Sequence, residues 1–139
     1  MDPVMTIPEL HSFLAEVFPQ VNHQFCVEEI TDDGMRVRLI VGEEHLRPGG
    51  TVSGPSMFGL ADVSVYLAVL SRIGPKALAV TTNCSIDFMR KPAAATDLIS
   101  ECRLLKLGKV LAVGDCLIRS EGSEAPVCRA TLTYSIPPR

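Results

Sequence analysis

The stretch from Gly49 to Arg72, G-G-T-V-S-G-P-S-M-F-G-L-A-D-V-S-V-Y-L-A-V-L-S-R, constrains the fold more than any other part of the chain. It opens on glycines and a Gly-Pro pair. It then runs through about eighteen residues that are almost all apolar or small, the length of several helical turns. Pro55 suits the start of a helix, where its missing N–H would be unpaired anyway. Ser53 or Gly54 then falls at the cap, with the first-turn N–H groups free. From Met57 to Leu70 apolar residues cover every side of the helical wheel. Such a helix is expected to be buried all round. It reads as too short, and too rich in small and polar residues, for a membrane span of about twenty apolar residues. The expectation is a core helix over about residues 54–72, enclosed by a sheet.

Asp62 contradicts that burial. It lies among Leu60, Ala61, Val63 and Val65. A carboxylate in such surroundings is costly unless paired or used. Two readings stand: a structural carboxylate at a subunit edge, or a general base or nucleophile near a helix start that can hold an oxyanion.

The remaining elements follow from periodicity. Ile7 to Phe18 reads as a helix, with Thr6 and Glu9 at capping-box spacing and Pro19 as its stop. Val21 to Ile30 alternates, with Val21, His23, Phe25 and Val27 on one face. T-D-D-G then signals a hairpin into Met35, Val37, Leu39 and Val41. After the break at Ile73-Gly74-Pro75, four strands are expected. The first has Leu78, Val80, Thr82, Cys84, Ile86 and Phe88 on one face. Asp97 to Leu107 and Val110 to Ser120 flank a two-residue turn, Gly108-Lys109. Val127 to Ile136 is the last strand. The order predicts one α+β domain over 1–139, a curved antiparallel sheet of five or six strands wrapped around a long helix. A single sheet of this kind leaves edges, and pairing of edges in a dimer is the expected remedy.

Composition narrows the function. The net charge is −3, with 21% charged residues and no basic run, so nucleic acid is not an expected partner. The N-terminal residues lack the basic and apolar segments of a signal peptide. The five cysteines are widely spaced without a C-x-x-C, and there are three histidines. Free thiols in a cytoplasmic protein are expected, with no disulfide framework and no metal site.

Several short motifs occur in a telling order: G-T-V-S-G-P-S-M-F-G-L-A-D, then A-V-T-T-N-C-S-I-D-F-M-R-K-P, then L-G-K. From about Glu43 to Ser135 the chain resembles the hotdog-fold thioesterase superfamily, and more narrowly the phenylacetate-pathway type of acyl-CoA thioesterases and their human acyl-CoA relatives. The resemblance implies the hotdog fold, hydrolysis of a small or medium acyl-CoA across a dimer interface, and often a dimer of dimers. Coenzyme A enters only as part of the substrate; no other cofactor is implied. It casts the Gly54 N–H as the group polarising the thioester carbonyl. Asp62 of the facing subunit activates water or attacks directly, and Thr81 holds the water. The family pattern N-x-x-G-x-x-H-G-G is altered here: its Asn falls on Arg47, its His on Ser53 and its last Gly on Pro55. Lys91 is inserted in the usual Arg-Pro corner. Arg47 has no acceptor to offer in place of Asn, and its expected partner is an acyl carboxylate or a CoA phosphate. Ser53 either donates to a substrate oxygen or caps the helix. Arg90, Lys91 and Lys109, with Gly108 in the turn, either meet CoA phosphates or are solvated turn residues. Two other readings remain: a non-hydrolytic acyl-thioester binder, and a hydroxyacyl-thioester dehydratase, the latter weakened by the lack of a histidine near the central helix.

Overall fold

The computed structural model describes residues 1–138. Two helices, α1 (Ile7–Val17) and α2 (Gly54–Ile73), accompany six strands: β1 (Phe25–Ile30), β2 (Gly34–Leu39), β3 (Val80–Phe88), β4 (Leu98–Leu107), β5 (Leu111–Ser120) and β6 (Pro126–Ser135). The strands form one antiparallel sheet in the order β1-β2-β4-β5-β6-β3. This is the α+β arrangement that the periodicities predict.

Local chemistry accounts for the element ends. Thr6 and Glu9 exchange side-chain hydrogen bonds with each other's backbone N–H, the reciprocal box expected at the start of α1. The turn before β2 needs glycine for a steric reason: a Cβ on Gly34 would lie 1.8 Å from the carbonyl oxygen of Cys102 on β4. Met35, Val37 and Leu39 of β2 are fully buried, while Arg36 and Arg38 face out and pair with Glu28. Gly114 of β5 lets α2 come close, since a Cβ there would stand 3.1 Å from both Val65 methyls.

The far end of α2 is held by a buried charge. Arg72 is 2% exposed, and its guanidinium donates to the carbonyls of Gly34 (3.0 Å) and Thr31 (2.5 Å) and to Ser71 Oγ (2.7 Å). Burial pushes its proton affinity down, and the cation persists because three acceptors replace water.

Four expectations need correction. First, α2 is not buried all round. Met57, Leu60, Ala61 and the residues from Ser64 to Arg72 are buried, but Pro55 and Phe58 are exposed and Gly59, Asp62 and Val63 half-exposed. Those five recur at the spacing of one helical face, a stripe along the first half of the helix. At twenty residues α2 is also long and apolar enough, by length and composition, to cross a membrane, with 67% of that window buried inside the fold. Its burial beneath the sheet, rather than its length, is what marks it as a core helix. Second, Asn22–Gln24 forms a tight helical turn, so β1 begins at Phe25, four residues later than the alternation suggested. Third, the β4–β5 connection has three residues, Gly108, Lys109 and Val110, closed by Gly108 N–H donating to the Leu111 carbonyl at 2.8 Å.

The fourth correction positions the site. Thr81 pairs with Tyr134 and Asn83 with Thr133, so Thr82 is an extra residue, a β-bulge. Register partners share a sheet face. Thr81, Cys84, Ile86 and Phe88 therefore lie on the face of Tyr134, Leu132, Ala130 and Cys128, which are buried. Strict alternation would instead have sent Thr82 and Val80 inward. In the structure Thr82 is exposed and Val80 is 54% exposed.

Candidate active site

Asp62 sits where the buried and open faces of α2 meet, eight residues after the helix starts. Its Oδ1 accepts two hydroxyl hydrogen bonds, from Thr81 Oγ1 at 2.5 Å and from Tyr134 at 2.7 Å. The Tyr134 hydroxyl also lies 3.0 Å from the Asp62 carbonyl oxygen. Among the described residues no hydrogen bond or ion pair reaches Oδ2. Burial, and then the neighbouring Asp62 charge, push the Tyr134 phenol well above its ordinary range. The carboxylate opens on a cavity of about 270 Å3 lined by Phe18, Tyr66, Ala79, Thr81 and Tyr134. The aromatic walls are packed on each other, with Tyr66 edge-on to Phe18 at 6.3 Å and 6.0 Å from Tyr134.

The helix start supplies the second feature. Ser53 is the cap: its Oγ accepts from the Ser56 N–H at 3.3 Å and lies 3.0 Å from the Ser56 hydroxyl. The capping alternative for Ser53 is what the structure shows. Gly54 is the first helical residue and Pro55 the second, one place later than the sequence suggested. Gly54 N–H therefore has no partner within the helix, and it lies at the positive end of the helix dipole. Phe88, at the end of β3, packs against Gly54; a Cβ there would stand 3.4 Å from the ring, an ordinary contact.

A buried histidine holds the loop that leads into this cap. His45, 4% exposed, accepts the Gly42 N–H at Nδ1 (2.8 Å), which leaves Nε2 to donate to Gln24 Oε1 (2.9 Å). Its carbonyl accepts the Ser53 N–H at 2.8 Å, and Leu46 bridges to Val52. Neither His45 nor Tyr134 stood out in the sequence. His45 lies outside any motif, and Tyr134 looks like one more inward residue of an alternating strand.

The other expected residues are not all brought together. Arg47 is exposed in the loop before the cap and forms no ion pair among the described residues. Arg90 and Lys91 are exposed just beyond β3, with Arg90 donating to the Pro126 carbonyl at 2.6 Å. They share the Gly54 end of the sheet. Gly108 and Lys109 lie at the opposite end, since Leu111 and Val80 both pair with Ser135. The two ends are separated by the nine residues of β3, roughly 26 Å at the usual strand rise. At the Lys109 end a larger, mostly apolar cavity of about 650 Å3 is lined by Ile73, Lys76, Leu107, Lys109 and Ile136. It shares no lining residue with the cavity beside Asp62. Among the described residues no group of His, Cys, Asp and Glu could hold a metal ion.

Residues 49–127 match the family model of the thioesterase superfamily. A crystal structure of a candidate thioesterase from Silicibacter sp. TM1040 is 59% identical, with 99% of this chain and 96% of that chain covered and a TM-score of 0.93. A mutant of the phenylacetic acid degradation protein PaaI from Thermus thermophilus is 25% identical over 86% of this chain and 99% of that one, with a TM-score of 0.72. A hypothetical thioesterase from Streptococcus pneumoniae, solved with coenzyme A, is 22% identical over 96% and 98% of the two chains, with a TM-score of 0.74. A comparison with curated proteins gives no match. The chain belongs to the thioesterase superfamily, and its sheet wrapped on a central helix is the hotdog fold.

Proposed function

We propose that this protein is an acyl-CoA thioesterase acting on small or medium acyl groups, and that it works as a homodimer. The observation that carries the reading is the Asp62 carboxylate, held through one oxygen, with no hydrogen bond to the other among the described residues, lining an aromatic-walled cavity. Hydrolysis needs a base or nucleophile and a donor for the developing oxyanion. Asp62 and the Gly54 N–H supply both kinds of group. In the base route Oδ2 takes a proton from water as the hydroxide oxygen adds to the thioester carbonyl. The oxyanion rests on a Gly54 N–H. The C–S bond then breaks, and the thiolate leaves with the proton from Asp62, giving the free acid and CoA. In the nucleophilic route the same oxygen adds to the carbonyl carbon, the C–S bond breaks and CoA leaves as the thiolate; water then cleaves the mixed anhydride, restoring the Asp62 carboxylate and giving the acid, whose proton goes to the thiolate.

Gly54 and Asp62 of one chain are too far apart to share a carbonyl: eight residues of helix span about 12 Å. The missing partner group comes from a second copy. The open stripe of α2 and the exposed apolar residues Leu78, Val80, Phe88 and Met89 of the β3 edge are the kind of contiguous patch that marks an interface. Pairing β3 with β3 antiparallel about a two-fold axis sets the Val80 end of one copy beside the Phe88 end of the other. Lys109 of one copy then approaches the end that carries the other's Gly54, Arg90 and Lys91, where CoA phosphates would be met. The coenzyme A bound by the pneumococcal relative supports that ligand class.

A second reading, a non-hydrolytic acyl-thioester binder, is favoured by one observation: Ser53 stands where the family has His, and its hydroxyl is used in the cap. Thiol release over a panel of short, branched, aromatic and medium-chain acyl-CoAs decides between them. Turnover of any member supports the hydrolase; tight binding without release of CoA supports the binder.

A further inference from the structure

We infer that Tyr134 is a positioning residue for the proposed hydrolysis, fixing Asp62 through Oδ1 so that Oδ2 alone is presented to the reacting atoms. The inference rests on the thioesterase reading and adds to it a residue that the family motifs did not point to. Tyr134 and Thr81 are register partners across β6 and β3, so their side chains stand next to each other. Both hydroxyls reach the same carboxylate oxygen, at 2.7 Å and 2.5 Å. The phenol has one proton and two candidate acceptors. The carboxylate is both nearer and charged, so it takes the bond over the Asp62 carbonyl at 3.0 Å. Tyr134 is itself immobile: it is 3% exposed and packed on Tyr66.

Two donors on one oxygen define the plane of the carboxylate. A carboxylate held at one oxygen only by Thr81 can turn about its terminal bond, where the torsional wells are broad. Thr81 also changes role: its proton goes to Asp62, so toward water it can only accept. Its contribution is then to the carboxylate first and to the water second.

The test is Tyr134→Phe, which keeps the ring and its packing. The expected result is a kcat lowered by about tenfold to a hundredfold, the scale of a small misplacement of a reacting group, with KM within about twofold and a melting temperature close to wild type. Thr81→Ser keeps the donor and should retain most of kcat, whereas Thr81→Val should fall with Tyr134→Phe. If wild type turns over acyl-CoA and Tyr134→Phe matches it in kcat, the positioning role is wrong and the hydrolase reading survives. If kcat falls only in step with the melting temperature, or KM rises as far as kcat falls, Tyr134 merely packs. A wild type that releases no CoA from any member of the panel overturns both.

Discussion

Thr81 and Tyr134 face each other across the β3–β6 ladder, and their hydroxyls converge on one oxygen of the α2 carboxylate. This convergence makes Asp62→Asn informative. Two donors select the amide oxygen of Asn for the Oδ1 position, which places its NH2 where Oδ2 stands. The substitution should therefore lower turnover by at least about a hundredfold, the low end for loss of a general base, while the melting temperature stays within a few degrees of wild type. A variant that melts far below wild type yet hydrolyses acyl-CoA normally in the cold would return Asp62 to a structural role.

Assembly can be tested without touching the site. Val80→Lys and Phe58→Glu place charges on the β3 edge and the open stripe, at positions that are 54% and 36% exposed in one chain. Each should change the stability of an isolated chain by less than about 0.5 kcal/mol, as exposed substitutions usually do. Light scattering should show a dimer for wild type and monomer for the double variant, and thioester hydrolysis should vanish with the dimer. Full activity in a monomer would mean that one chain holds a complete site.

Stability should fall at alkaline pH for a definable reason. Burial pushes up both Tyr66 and Tyr134, the latter further through the Asp62 charge. An acid whose folded value lies above its unfolded value keeps its proton in the fold while the unfolded chain releases it. Stability is then unaffected below the unfolded tyrosine value, about 10, and declines as pH rises beyond it. Denaturant midpoints measured from pH 8 to 11 should drop in the upper part of this range. Tyr134→Phe should make the drop shallower; an unchanged slope would remove Tyr134 as its source.

The thiols should be reduced and slow to react. All five cysteines are free. Burial pushes Cys128 up to about 11 and raises Cys84, and a hydrogen bond with Cys116, together with burial, raises Cys102. Thiolate is the reactive form, so alkylation of the native protein at pH 8 should leave these three unmodified over minutes. Intact mass should be the same before and after reduction; a difference of two hydrogens would reveal a disulfide.

Much of this could be read from the chain. The span of α2, the capping box at Thr6, the hairpin at Gly34 and the four-strand run all follow from local chemistry and periodicity, which act over a few residues. What escaped reading depends on contacts between distant segments. Pattern alone could not show that Pro55, Phe58 and Val63 stay open, because an apolar stripe looks the same under a sheet and under a second copy. Tyr134 needed the β3–β6 register, seventy-two positions from Asp62 in sequence. Thr81 came from a family resemblance, while strict alternation argued for Thr82. The bulge that reverses them has no clear mark in V-T-T-N-C.

That extra peptide unit ties the proposed chemistry to the proposed interface. With Thr82 as the extra residue, Thr81 faces Asp62 and Val80 takes the outer face of the edge strand. A strand that lost the bulge while keeping these residues would point Thr81 away from the carboxylate and turn Val80 to the inner face in one event. Single substitutions at Thr81 or Val80 would each alter one of these faces, whereas loss of the bulge alters both together. The departures from the family pattern at Ser53 and Arg47 lie elsewhere, in the loop before the helix.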